Sequence, residues 1–210
     1  MLQRYMNSHN GFLLPLAICL AAAAFIIGGA FLIHLVTDAP MAVLTRDPAA
    51  TVEVPPYVGF LSNATMLVWS AAATICLFGA AMFPSAHAFR SCLLFAGLLT
   101  VTLMLDDMYM GHEKLAPVYL GIPEKVVFLV YAIAAFYWLI RYRDVILATD
   151  YRLLVLAFIF LGASVGIDVL DSRGWFPIDD PYLLEDGAKI AGVIFWLAYF
   201  VQTVRVATAD

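Results

Sequence analysis

The stretch FLLPLAICLAAAAFIIGGAFLIHLV, residues 12–36, contains no aspartate, glutamate, lysine or arginine. It is longer than the roughly 20 residues that a helix needs to cross the hydrocarbon core of a bilayer. It is also too long for the apolar part of a secretory signal, and no small-residue cleavage site follows it. The stretch therefore predicts a retained transmembrane helix and no cleaved signal.

The composition of the whole chain points to the same solvent. Of its 210 residues, 64% are hydrophobic and only 13% are charged. A soluble domain of this length could not bury so much apolar surface, so the predicted solvent is a lipid bilayer. The long apolar runs predict six membrane spans. They lie near residues 12–36, 58–83, 89–110, 123–141, 152–171 and 185–205.

These spans are predicted to be helices, because backbone polar groups must find partners within lipid and the runs lack the alternation of barrel strands. The predicted fold is therefore all-α: a polytopic integral membrane bundle of six transmembrane helices, forming a single transmembrane domain over residues 1–210. Two long outer loops are expected at 37–57 and 172–184. The first contains four prolines and so cannot be helical throughout.

The arginines predict the orientation of the bundle. Arg141, Arg143 and Arg152 surround the short loop between the fourth and fifth spans, and Arg90 opens the third span. The positive-inside rule places these residues on the cytoplasmic side. We therefore predict a multi-pass protein of the cell membrane with both termini cytoplasmic. All but three of the 16 acidic residues would then lie on the outer side.

A charged stretch, LDDMYMGHEK at Leu105–Lys114, interrupts this apolar pattern. Four ionisable residues at the predicted outer ends of the helices each lie sixteen positions from an inner arginine. They are Asp106, Asp168, Lys125 and Lys189. Sixteen residues of helix span about 24 Å, less than the roughly 30 Å of the hydrocarbon core. The four groups are therefore expected at one level, just inside the outer edge of the membrane.

Carboxylates with one or two imidazoles suit divalent metals such as Zn, Mn, Fe or Ca. The predicted metal ligands are His112, Asp107, Asp168, Glu185 and His34. The predicted catalytic residues are Glu113 and Asp106, with Lys189 and Lys125 as electrostatic partners. Glu113 would share a helix face with Asp106 if the third helix continued past Gly111. In an outward-facing cavity, such a metal would activate water against a lipid or small amphiphile, as in a membrane-embedded hydrolase.

Two structural alternatives remain open at these positions. Asp106 and Asp168 could face the two lysines as interhelical ion pairs that fix the bundle and bind no ligand. His34, alone on an apolar helix, could be a packed, hydrogen-bonded histidine. The alternative function is that of a non-catalytic accessory subunit of a larger membrane protein complex, whose acidic outer loops dock a soluble partner.

More specific motifs are absent. His112 and Glu113 resemble the start of HExxH, but Ala116 occupies the position of the second histidine. There is no GxSxG elbow, no CxxCH haem site, no glycine-rich phosphate loop and no basic tract, so no nucleic-acid partner is predicted. The three cysteines lie in apolar runs without CxxC spacing, which favours core packing over disulfides or thiolate metal sites.

Overall fold

The computed structural model describes residues 10–85, 87–175 and 181–209. Within these ranges the chain is helical and contains no strand, which confirms the all-α prediction. The α-helices are α1 (Asn10–Thr37), α2 (Met41–Thr45), α3 (Pro48–Thr51), α4 (Phe60–Met82), α5 (Ala88–Met108), α6 (Glu124–Arg141), α7 (Arg143–Leu147), α8 (Arg152–Asp171) and α9 (Tyr182–Ala209). A π-helical segment, Gly111–Tyr119, lies between α5 and α6.

Five of the described helices, α1, α4, α5, α8 and α9, are long and apolar enough to cross a membrane. They are compatible with a multi-pass membrane protein. The sixth predicted span corresponds to α6, which has 18 residues and carries Glu124, Lys125 and Arg141. Because three of its 18 residues are charged, α6 is not among the five helices named above. A membrane span at α6 remains a prediction, and so does the orientation of the termini.

The chain divides into two compact units, of which the first ends at Val58 and the second begins at Gly59. In the first unit, α1 exposes its apolar side chains from Leu14 to Val36, as a helix in contact with lipid would. The second unit contains α4 to α9 and the candidate site. The prediction of one transmembrane domain over residues 1–210 remains a prediction.

The two predicted loops contain more local structure than expected. In loop 37–57, Pro40 precedes α2, and the Asp47 carboxylate caps α3 by accepting hydrogen bonds from the backbone N–H groups of Ala49 and Ala50 at 2.8 and 3.3 Å. This loop is therefore not helical throughout, as its prolines predict. In loop 172–184, residues 176–180 lie outside the described residues, and α9 already begins at Tyr182.

The core of the second unit lies where α9 packs between α4 and α8, with α5 against α4. Its largest fully buried side chains are Trp138, Trp196, Tyr199 and Phe200. The Trp138 indole N–H donates to the Cys92 carbonyl oxygen at 3.1 Å, and the Trp196 indole N–H donates to Thr100 Oγ1 at 3.0 Å. These bonds satisfy the polar atoms of the buried rings. Cys76 and Cys92 are buried as predicted, whereas Cys19 is exposed on α1.

Close helix contact depends on only some of the small residues. A Cβ atom on Gly192 of α9 would lie 2.7 Å from Leu161 Cγ of α8, so a larger residue there would push these two helices apart. By contrast, a Cβ atom on Gly162 or Gly166 would meet no atom within 4 Å. Gly162 and Gly166 form a GxxxG motif in α8, and this motif therefore does not join two described helices of this chain.

Candidate functional site

The site begins where the charged stretch leaves α5. That helix ends at Met108, and Met110 adopts a left-handed backbone conformation (φ 51°, ψ 46°) before the π-helical segment. Because the helix does not continue past Gly111, the shared face predicted for Asp106 and Glu113 does not form. The turn instead brings His112 back to Asp106, and His112 Nδ1 pairs with Asp106 Oδ2.

Gly111 makes this return possible. A Cβ atom at this position would collide with the Asp106 carboxylate and would lie 3.0 Å from the Asp106 Cα atom. Only glycine leaves room for the backbone to pass this close to a side chain. In the sequence, Gly111 predicts only a possible end of the helix, although a glycine between charged residues is also a signal for such a close approach.

We expect Gly111→Ala to displace Asp106 from His112 and to lower the free energy of unfolding by about 2 kcal/mol, the usual cost of an added methyl group without space. The midpoint of thermal unfolding in detergent measures this. Gly187→Ala in α9 is the matched control, because a Cβ atom there meets no atom within 4 Å. Equal midpoints for the two variants would contradict the close approach at Gly111.

The His112–Asp106 pair is largely buried, with side chains 13% and 10% exposed. Burial lowers the pKa of His112, but the hydrogen bond and the charge of Asp106 outweigh it, so that the pKa lies above its usual value. Phe128 packs against the imidazole with ring centroids 4.8 Å apart. The other ring nitrogen, Nε2, lies 3.8 Å from Oε1 of the half-exposed Glu113. One nitrogen is thus held by a carboxylate and the other can exchange a proton.

A second pair joins α9 to α5. Lys189 Nζ lies 3.2 Å from Asp107 Oδ1 and 3.5 Å from Asp186 Oδ1. An interhelical ion pair is therefore present, but Lys189 binds Asp107 rather than Asp106 or Asp168. Lys125 is exposed at the start of α6, and no described carboxylate lies within 4.0 Å of it.

These groups lie at one end of a cavity of about 370 Å³. Six ionisable residues line it: Asp106, Asp107, His112, Asp168, Glu185 and Lys189. Five aromatic residues line it as well: Trp69, Phe128, Tyr131, Phe158 and Trp196. Trp196 follows Lys189 by two helical turns, which is about 10 Å along α9. The cavity is therefore charged at one end and apolar and aromatic deeper in the unit.

The structure brings together six of the nine predicted site residues, those that line the cavity. Glu113 lies beside His112, and Lys125 is exposed. His34 belongs to the first unit, where its Nδ1 donates to the Ala39 carbonyl oxygen at 2.7 Å, as in the hydrogen-bonded alternative. Besides Gly111, sequence analysis missed Ser164 and the aromatic lining. An apolar helix gives no sign in its sequence of which side chains line a cavity.

The geometry does not support the predicted metal centre. Among the described residues, no group of three or more His, Cys, Asp or Glu side chains could hold a metal ion. The physical reason is that the Lys189 ammonium group already neutralises Asp107, while His112 is paired with Asp106. The predicted ligands of the second unit, His112, Asp107, Asp168 and Glu185, are therefore not arranged around one point in the part of the chain that the structure describes.

Fold and cavity together define a class of protein: an all-helical bundle, compatible with multi-pass membrane insertion, whose aromatic cavity is charged at one end. The chain belongs to the family described as Domain of unknown function (DUF8692), whose model matches residues 13–203. No curated protein and no solved structure matches the chain.

Proposed function

We propose that this protein is an integral membrane hydrolase that binds a lipid or small amphiphile in the cavity. One observation carries the proposal: the His112–Asp106 pair lies at the charged end of a cavity that is otherwise lined by apolar and aromatic side chains. On the evidence of the inner arginines, we place this end at the outer face of the cell membrane, with both termini cytoplasmic.

The cavity suits an amphiphile in size and polarity. Its volume of about 370 Å³ falls within the range of small-molecule sites, which are mostly apolar with a few polar groups that fix orientation. An acyl chain would contact Trp69, Phe158 and Trp196, and a head group would remain among the charged residues. A ligand that is already dissolved in the bilayer would reach such a site at a high local concentration.

The His112–Asp106 pair supplies the chemistry. His112 Nε2 would take a proton from a water molecule as its oxygen forms a bond to the carbonyl or phosphoryl centre of the ligand. Asp106 would orient the ring and stabilise the imidazolium that forms. The proton would then pass to the oxygen of the leaving group as its bond breaks. This sequence of steps uses no metal.

A leucine at position 162 tests the binding step. Gly162 lines the cavity and has open space around it, so we expect Gly162→Leu to fill the cavity without unfolding the protein. Native mass spectrometry in detergent should detect an amphiphile that co-purifies with the wild type and is lost from this variant. Gly166→Leu is the matched control, because Gly166 has equally open space but does not line the cavity. Retention by Gly162→Leu would contradict binding in the cavity.

The accessory-subunit alternative is favoured by a different observation. The open GxxxG step at Gly162 and Gly166 is the kind of small-residue face on which another transmembrane helix packs closely. In this case Gly166→Leu would release a partner subunit on a native gel, while co-purified amphiphile would remain bound. The same pair of variants therefore separates the two functions.

A further inference from the structure

We infer that the head group recognised by the cavity carries a positive charge, an ammonium group on an amphiphile. The inference rests on the proposed function and names the class of ligand for the same site. It follows from the charges that line the cavity once their partners within the chain are taken into account.

Four carboxylates line the cavity, and among the described residues two of them have a lysine or histidine nitrogen within 4.0 Å. Asp106 is paired with His112, and Asp107 with Lys189. Asp168 and Glu185 have no lysine, arginine or histidine nitrogen within 4.0 Å among the described residues, although both are partly buried. Two carboxylates thus remain uncompensated in one partly enclosed space.

Uncompensated carboxylates near a membrane are unfavourable unless a cation or a proton balances them. Lys189 does not form an ion pair with Asp168 or Glu185, because its ammonium group is already paired with Asp107 and Asp186. A ligand that brings its own cation would relieve this repulsion, whereas an anionic head group would increase it.

Ser164 provides a second, independent indication of a ligand. It is only 3% exposed, it lines the cavity, and it precedes Asp168 by one helical turn. Its hydroxyl makes no hydrogen bond to the described residues, whereas the hydroxyls of Thr65 and Thr100 each donate to the carbonyl oxygen four residues earlier. Because Ser164 lines the cavity and its hydroxyl has no partner among the described residues, that hydroxyl is available to a polar atom of the bound molecule.

The aromatic lining is consistent with an ammonium group. Phe128 lies at the charged end, where it packs against His112, and Tyr131 follows it by one turn of α6. Aromatic faces attract ammonium groups, and the attraction is strongest where water is excluded. The cavity therefore favours a cationic amphiphile. Its carboxylates would balance the charge, its aromatic rings would contact the alkylated nitrogen, and its deeper apolar part would hold the chain.

The test compares three probes with the same chain length: octyltrimethylammonium, octyl glucoside and octyl sulfate. Their binding to the full chain in nanodiscs is measured by the quenching or shift of tryptophan fluorescence, because Trp69 and Trp196 line the cavity. We expect the cationic probe to bind at least tenfold more tightly than the neutral one and the anionic probe to bind least. Raising the salt concentration should reduce this preference, since the two carboxylates are partly exposed.

The double variant Asp168→Asn, Glu185→Gln should lose the preference for the cation. The control Asp144→Asn, Glu53→Gln changes the net charge equally at two exposed acids that do not line the cavity, and it should keep the preference. The single variants Asp168→Asn and Glu185→Gln should each lose part of the preference. They still test the inference if the double variant does not fold.

A competition experiment identifies the source of the ammonium group. Loss of binding of the cationic probe when phosphatidylethanolamine is added to the nanodisc would identify a lipid, and undiminished binding would identify a free amphiphile.

Three results would overturn the inference: equal binding of the three probes, a preference for octyl sulfate, or a preference for the cation that persists in the folded double variant. If one of these three results is obtained and Gly162→Leu still abolishes binding of the neutral probe, the proposed amphiphile site stands and only its charge selectivity fails. If no probe binds to the folded wild type, both proposals fail.

Discussion

Replacing Lys189 by methionine is expected to lower the free energy of unfolding by about 2 kcal/mol. Methionine retains the apolar stem of the side chain but leaves Asp107 without its partner, and removal of one member of a buried pair exposes the full cost of burying the other. The Lys189 and Asp107 side chains are 24% and 17% exposed, so the effect should be smaller than for a fully enclosed pair. The midpoint of thermal unfolding in detergent measures it.

Asp107→Asn in the same chain should restore most of the lost stability, because it removes the charge that Lys189→Met leaves uncompensated. The Arg152–Asp150 pair provides the control. Its bond is shorter, at 2.7 Å, but its side chains are 81% and 36% exposed. Arg152→Met should therefore have no measurable effect, since solvent screens exposed pairs. An equal loss of stability in Arg152→Met and Lys189→Met would contradict the assignment of Lys189 as a partly buried structural cation.

Replacing His112 by glutamine is expected to reduce hydrolysis by about 100- to 10,000-fold, the range over which a positioned general base contributes to rate. The probe is p-nitrophenyl octanoate, whose apolar chain suits the cavity and whose cleavage is followed by absorbance. His87→Gln is the matched control, because His87 is exposed and does not line the cavity. If the wild type cleaves the ester and His112→Gln cleaves it equally fast, His112 is not the base.

The rate of this hydrolysis is expected to increase with pH. A general base acts in its neutral form, and Asp106 holds the pKa of His112 above its usual value. The wild-type rate should therefore rise with pH through that raised pKa. Asp106→Asn removes the carboxylate that favours the imidazolium, so the rise should move to lower pH while the maximal rate falls. A residue that only supports the fold would change the maximal rate without moving the profile.

The helices themselves could be predicted from the sequence. The runs near 58–83 and 152–171 become α4 (Phe60–Met82) and α8 (Arg152–Asp171), with ends within two residues of the prediction. The reason is local: a helix satisfies its own backbone hydrogen bonds, and an apolar run bounded by charges or prolines fixes where it can begin and end. The count of sixteen residues from the inner arginines predicted Asp106 and Asp168 near one level, and both line the cavity.

The choice of partners could not be predicted in this way. A count of sixteen residues gives the depth of Asp106 along α5, but its neighbour Asp107 lies at nearly the same depth and points about 100° away around the axis. Which of the two meets Lys189 depends on how α5 and α9 are rotated against each other. In the same way, the rotation of α8 against α9 decides that Gly192 makes a close helix contact while Gly162 and Gly166 face open space.

Three features are therefore predictable from the amino-acid sequence: the chain is helical, its long helices lie near the apolar runs, and acidic and basic groups collect near the helix ends. Each of these features depends on residues close together in the chain. Tertiary packing sets three other features: His112 turns back onto Asp106, Lys189 pairs with Asp107, and Asp168 and Glu185 have no cationic partner among the described residues of the aromatic cavity. Those outcomes depend on a left-handed residue at Met110 and on the mutual rotation of packed helices, which residue spacing along one helix does not specify.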